Sequence, residues 1–187
     1  YYGAMGRHNT IPDQIAGMRE LAARYSYIDI DRAGIWGHSG GGFAAAAAMF
    51  RYPEFFKAGI SESGNHDNRN YEDDWGERFQ GSLRRDGDRD NYESQANQLV
   101  AANLRGKLLL VHGAMDDNVP LSNTYLVVDA LGKANKDFDL IILPQQRHGY
   151  GGDNNYVMRR RWDFFVRHLL GAEPPADYQI GRLRPIF

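Results

Sequence analysis

At 187 residues, with 42% hydrophobic and 25% charged positions, the chain has the composition of an ordinary globular domain able to bury one sizeable core. A formal charge of -2 gives no reason to expect a nucleic-acid partner, no apolar run is long enough for a membrane segment, and the lack of cysteine excludes disulfides and thiol catalysis. The chain opens on Tyr1, with neither an initiator methionine nor a signal-like segment, so a piece of a longer protein is expected. Behind a glycine-containing start, Pro12 and Asp13 suit a first helical turn, and Ile15, Met18, Leu21, Ala22 and Tyr25 recur at helical spacing, predicting a helix over 12–25. The short apolar segment Ala33 to Trp36 reads as a strand and runs through a glycine-rich turn into an alanine-rich helix ending near Arg51. A strand over Lys57 to Ser61 leads to a polar, aromatic-containing loop at 62–90, then a helix over 92–104 and a strand over Lys107 to His112. Its run Leu108 to Val111 suits a parallel strand buried on both faces. A helix at 121–135, a strand at 138–143 and a helix at 154–170 complete the alternation, with Trp162, Phe165, Val166 and Leu169 on one face and Gly171 as the stop. The run Arg159, Arg160, Arg161 reads as a solvated helix face.

Alternating strands and helices imply an α/β fold, a mostly parallel sheet flanked by helices, with loops at the strand C-termini free for chemistry. On such a loop sits Gly37-x-Ser39-x-Gly41, between a strand and a helix. That context marks a nucleophile elbow: small neighbours allow the strained turn, and the helix N-terminus favours a developing negative charge. An α/β-hydrolase needs its acid and then its base after later strands, and Asp116 and His148 follow in that order. His148 would take the Ser39 proton, and Asp116 would fix the imidazole tautomer. Asp117 and Glu62 are alternative acids. Of the other histidines, His112 reads as strand-end packing, His38 as the variable elbow residue, and His8, His66 and His168 carry no partner signal. No histidine pair has metal-ligand spacing, and the triad calls for no cofactor.

At these residues the sequence resembles the serine peptidases of the prolyl oligopeptidase family, most closely the dipeptidyl peptidase IV branch. The likeness covers almost the whole chain and rests on Gly37-His38-Ser39-Gly40-Gly41-Gly42-Phe43, on Leu110 through Asp116-Asp117-Asn118-Val119, and on Arg147-His148-Gly149. It implies the C-terminal portion of an α/β-hydrolase domain, a single and incomplete domain over 1–187, with Ser39, Asp116 and His148 as the triad and the Gly40 N–H as an oxyanion donor. A fourth block, Tyr71-x-x-x-Trp75-x-Glu77-Arg78-Phe79, resembles a segment whose aromatics wall a pocket for proline or alanine. The implied substrate-binding residues are Tyr71, Trp75, Asn118 and Val119. Two departures stand out: Trp75 replaces a tyrosine, and Gly40 replaces a bulky residue, which should widen the site.

In the family a β-propeller, the first sheet strands, a second oxyanion donor and an acidic anchor for the substrate amino terminus precede this region. The resemblance therefore implies a peptidase of short peptides, releasing N-terminal dipeptides, with this chain alone weak or inactive. It also implies an open sheet edge at Ala33 to Trp36 that favours self-association. An esterase or acylaminoacyl-type hydrolase would share the same triad, and a non-catalytic hydrolase-like module would leave it unused.

Overall fold

The computed structural model describes residues 10–181. In chain order its elements are α1 (Ile11–Arg24), β1 (Ala33–His38), α2 (Gly40–Arg51), β2 (Phe56–Glu62), α3 (Asp73–Gln80), the short strands β3 (Arg85–Asp86) and β4 (Arg89–Asp90), β5 (Lys107–Gly113), α4 (Ser122–Lys133), β6 (Asp139–Leu143) and α5 (Asn154–Phe165). The main sheet has the order β1-β2-β5-β6 and every pairing in it is parallel. β3 and β4 form a separate antiparallel hairpin.

The apolar run of β5 shows how both faces are covered. Alternate side chains of a strand point to opposite sides. Leu108 and Leu110 join Ile11, Ile15, Met49, Phe50, Val127 and Leu131 on the face carrying α1, α2 and α4. Leu109 and Val111 join Ala58, Ile60, Leu143, Val157 and Phe164 on the face carrying α5. The alanine run of α2 serves close approach, since Ala45 through Ala48 are fully buried. Burial of these two clusters is the main drive for folding. No helix among the described residues is long and apolar enough to cross a membrane.

Five local expectations are corrected. The segment predicted as a helix over 92–104 is a series of single 3₁₀ turns, Glu93–Gln95, Asn97–Leu99 and Ala101–Asn103, interrupted at Ala96 by an extended backbone (φ -67°, ψ 123°). Tertiary hydrogen bonds win there over local propensity: the buried Asn97 side-chain amide donates to Phe43 O and to His66 Nδ1, both at 3.0 Å. The predicted loop at 62–90 contains α3, which begins on Asp73 and Asp74 and stops at Gly81 with φ 78°.

On α1 only the first turns face the core. Ile15 is buried, whereas Leu21 and Tyr25 of the expected stripe are 47% and 45% exposed. In the last helix, α5 passes into a π-helical turn over Val166–Leu170 that ends at Gly171 with φ 69°. Its core-facing side is Val157 and Phe164 joined by Phe165 and Leu169 of the expected stripe, while Trp162 is half exposed. Nor is the arginine run a solvated face. Arg159 bonds Asp163 at 2.9 Å, and Arg161 reaches the buried Glu62.

Candidate active site at the C-terminal sheet edge

β1 ends at His38 and α2 begins at Gly40, so Ser39 alone reverses the chain. It does so at φ 59°, ψ -125°, a conformation that costs a non-glycine residue about 1–3 kcal/mol. Two backbone bonds hold it there: Ser39 N–H donates to Glu62 O at 2.8 Å, and Phe43 N–H donates to Ser39 O at 3.0 Å. The glycine requirement is steric and backbone-borne. A Cβ on Gly37 would lie 2.2 Å from Gly41 O, and one on Gly42 would lie 2.3 Å from Glu62 O. Gly41 itself faces open space, so its place in the motif reflects what Gly37 abuts. The N–H groups that open α2 after Ser39 have no intrahelical acceptor, as at any helix N-terminus.

The loops after β5 and β6 are laced together, with Ala114 N–H donating to Leu143 O at 2.9 Å and Met115 N–H to Gln146 O at 3.0 Å. Asp116 sits in this lacing with its side chain inaccessible to solvent. Its Oδ1 accepts from the N–H groups of Asn118 (3.0 Å) and Val119 (2.9 Å), and its Oδ2 lies 2.8 Å from His148 Nδ1. Burial pushes the Asp116 carboxyl up, but the bonds from His148, Val119 and Asn118 together outweigh it and hold the group below the usual carboxylate range.

The His148 ring is partly exposed and stacks beside His38, with centroids 4.6 Å apart. That places His148 next to the residue preceding Ser39. Among the described residues no hydrogen bond joins the Ser39 hydroxyl to His148. Such bonds are often long before substrate arrives.

Neither alternative acid bonds His148. Asp117 is exposed and pairs with Arg147. Glu62 is 1% exposed and takes three hydrogen bonds from Arg161, from Nε to Oε1 at 3.0 Å and from Nη2 to Oε1 and Oε2 at 2.9 Å each. Burial raises the Glu62 carboxyl, and the guanidinium offsets that only in part. Arg161 also covers the Trp36 ring at 3.7 Å from its centroid.

The aromatic block gathers over the elbow. Tyr71 OH donates to Asn118 Oδ1 at 3.0 Å, Tyr71 and Trp75 meet edge to face at 5.6 Å, and Trp75 leans on Phe79 at 4.6 Å. Trp75 Cζ2 lies 3.1 Å from where a Cβ on Gly40 would stand. The indole thus fills the side that Gly40 leaves free, and the two departures offset each other in volume instead of widening that side. The Val119 side chain is fully buried, so only its backbone faces the loop.

Several parts of this edge carried no usable sequence signal. Fully buried His66 accepts from Asn97 at Nδ1 and approaches Ser61 Oγ at 3.5 Å, and that hydroxyl donates to Gly42 O at 2.8 Å, bracing the first turn of α2. Buried Tyr150 packs its ring edge-on to His38 and shares a hydrogen bond with Ser63 at 3.0 Å. His168 packs against Phe164 at 4.5 Å, and His8 lies outside the described residues. Among the described residues no three acidic or histidine side chains gather as metal ligands.

Comparison with known proteins places the chain among relatives. The model of the prolyl oligopeptidase family matches residues 2–172. Human (Homo sapiens) dipeptidyl peptidase 8 is 33% identical over 141 residues, which cover 74% of this chain and 16% of that protein. Dipeptidyl peptidase family member 1 of Caenorhabditis elegans is 30% identical over 166 residues, 87% of this chain and 20% of that protein. The crystal structure of Porphyromonas gingivalis dipeptidyl peptidase 4 superposes with a TM-score of 0.80 at 35% identity, covering 90% of this chain and 24% of that one. The chain thus spans a quarter or less of the length of these relatives.

Proposed function

The chain belongs to the prolyl oligopeptidase family, and from that premise we propose that it carries the nucleophile, acid and base of a serine peptidase of dipeptidyl-peptidase type. In this reading Ser39 Oγ attacks the scissile carbonyl carbon while His148 Nε2 takes its proton. Asp116, bonded to Nδ1, fixes the tautomer and stabilises the imidazolium that forms. The N–H of Gly40 at the start of α2 receives the oxyanion. His148 then returns the proton to the leaving amine, the acyl group remains on Ser39, and water attacks by the same route in reverse. Tyr71, Trp75 and Asn118 border the place where the residue before the scissile bond would lie. The 2.8 Å bond between buried Asp116 and His148, whose ring packs beside the strained elbow, is the observation that supports this reading best.

The intact protein should hydrolyse aminoacyl-proline amides, with Ser39→Ala abolishing the activity. Turnover of simple acyl esters alone, or amide hydrolysis that survives Ser39→Ala, contradicts the reading. The isolated chain should be a slow catalyst, because in the family the second oxyanion donor comes from ahead of the region this chain matches, and one such donor is worth about 100- to 1,000-fold. We also propose that the isolated chain self-associates: β1 is an edge strand among the described residues and its Trp36 is 51% exposed. A single monomeric boundary in sedimentation at high concentration contradicts this.

A further inference from the structure

We infer that His112 and Thr124 act as a tautomer clamp on Asp116, so that His112 is a positioning residue for the proposed acid. The inference rests on the serine-peptidase reading above and goes beyond it, since His112 touches neither Ser39 nor a substrate in that mechanism.

His112 is the penultimate residue of β5 and is completely buried. Its Nε2 faces two oxygens, Val119 O at 3.0 Å and Asp116 Oδ2 at 3.2 Å. Two acceptors at one nitrogen require that nitrogen to carry the proton. Its Nδ1 lies 2.7 Å from Thr124 Oγ1 on α4. A neutral ring protonated at Nε2 has a lone pair at Nδ1, so the threonine hydroxyl must donate into it. The partner of one ring nitrogen thereby sets the state of the other.

Neutrality is supported by the surroundings. Burial lowers the His112 imidazole, and although Val119 O and Asp116 pull it back up, the net shift is downward. The titratable groups facing it are Asp116, His148, His38 and His66, and the three histidines each oppose a second positive charge.

The clamp completes the acid's coordination. Oδ1 takes two backbone donors, and Oδ2 takes His148 Nδ1–H together with His112 Nε2–H. With a donor pair on each oxygen, rotation of the carboxylate about its Cβ–Cγ bond breaks bonds in either direction. Val119 closes the ring, since its N–H holds Oδ1 while its carbonyl holds His112. If the Thr124 hydroxyl is lost, the Nδ1 lone pair is left unpartnered in a dry site and the ring is released from the seat that aims its Nε2–H at Oδ2. The carboxylate then loses one donor and concentrates its charge on His148. Slower proton transfer at neutral pH and an acid limb displaced to higher pH follow.

The test is the second-order rate of fluorophosphonate labelling of the intact protein across pH, for wild type, Thr124→Val, Thr124→Ser and His112→Gln. Thr124→Val should label about tenfold more slowly at neutral pH, with its acid limb about half a unit higher. Thr124→Ser, which keeps the hydroxyl, should stay within about twofold of wild type. His112→Gln, which can still place an amide N–H near Oδ2, should fall between them. A Thr124→Val protein that melts lower but labels at the wild-type rate with an unmoved acid limb overturns the clamp and leaves a packing role only. If Thr124→Val does not fold, a His112→Gln profile identical to wild type overturns it equally. A wild type that is not labelled at Ser39 overturns the underlying reading, and the clamp with it.

Discussion

Two buried carboxylates lie within the same sheet edge, and their partners give them opposite fates. Glu62 ends β2 and is gripped by a guanidinium through three hydrogen bonds, with the His38 imidazole farther off at 3.9 Å. Asp116 follows β5 and is bonded by two backbone N–H groups and two imidazoles, one of them partly exposed. Both sit where an α/β sheet can place a catalytic acid. Position on the fold therefore admits either one, and in the proposed mechanism the chemistry of the partner is what separates them. An imidazole can accept a proton from a nucleophile and pass it on, whereas the Glu62–Arg161 pair can only anchor α5 against the sheet behind Ser39.

The sharpest way to break this comparison is to neutralise each acid in turn. Asp116→Asn should lower peptidase turnover of the intact protein by about 10,000-fold, the scale for a triad acid replaced by its amide. Glu62→Gln should lower it by less than about tenfold, because the elbow is held by the Glu62 backbone carbonyl, which the substitution keeps. Equal losses in kcat would dissolve the distinction.

Stability should show the reverse order. Arg161→Met strands Glu62 in a dry site and should cost about 3–5 kcal/mol in urea unfolding, with part recovered in Glu62→Gln/Arg161→Met. A cost below about 1 kcal/mol would mean that the pair is not the anchor described above.

Protons sharpen the contrast further. Burial, with His112 nearby, holds the His66 imidazole down to about 3, while an unfolded imidazole titrates near 6.5. Between those values the unfolded chain binds a proton that folded His66 refuses, so stability is lost as pH falls through that window. One such group contributes a slope of at most about 1.4 kcal/mol per pH unit. His66→Gln should flatten the fall in urea midpoint between pH 7 and pH 5; an unchanged slope would show that His66 takes up protons in the folded state.

The smallest expected effect concerns the two compensating departures. Gly40→Ala brings a methyl to 3.1 Å from the Trp75 indole and should slow turnover by a few-fold, whereas the same change beside Trp75→Phe should be nearly silent. Additive effects in that double-mutant cycle would mean that the two residues do not share one space.

Legibility along the chain followed the kind of force involved. The β5 run and the glycine-flanked Ser39 were readable because their constraints are local: burial on both strand faces, and turns that exclude a Cβ. That Asp116 and His148 lie on loops after successive strands was readable from their order along the chain. The Glu62–Arg161 pair was not, since it joins residues far apart in sequence, and an arginine run reads as surface until a buried acid is known to face it. Asn97 misled for the same reason, its side chain bonding Phe43 and His66 where a local helix was expected. The α3 helix had visible signs, with Asp73 and Asp74 at its start and Gly81 at its stop, and could have been found from them.

The central claim is that Ser39 is activated by His148. Its most direct test is to treat the intact protein with a fluorophosphonate and locate the adduct by peptide mass spectrometry. The account predicts a single phosphonylated site at Ser39, lost in His148→Ala. An adduct on another residue, or labelling of Ser39 undiminished by His148→Ala, contradicts it.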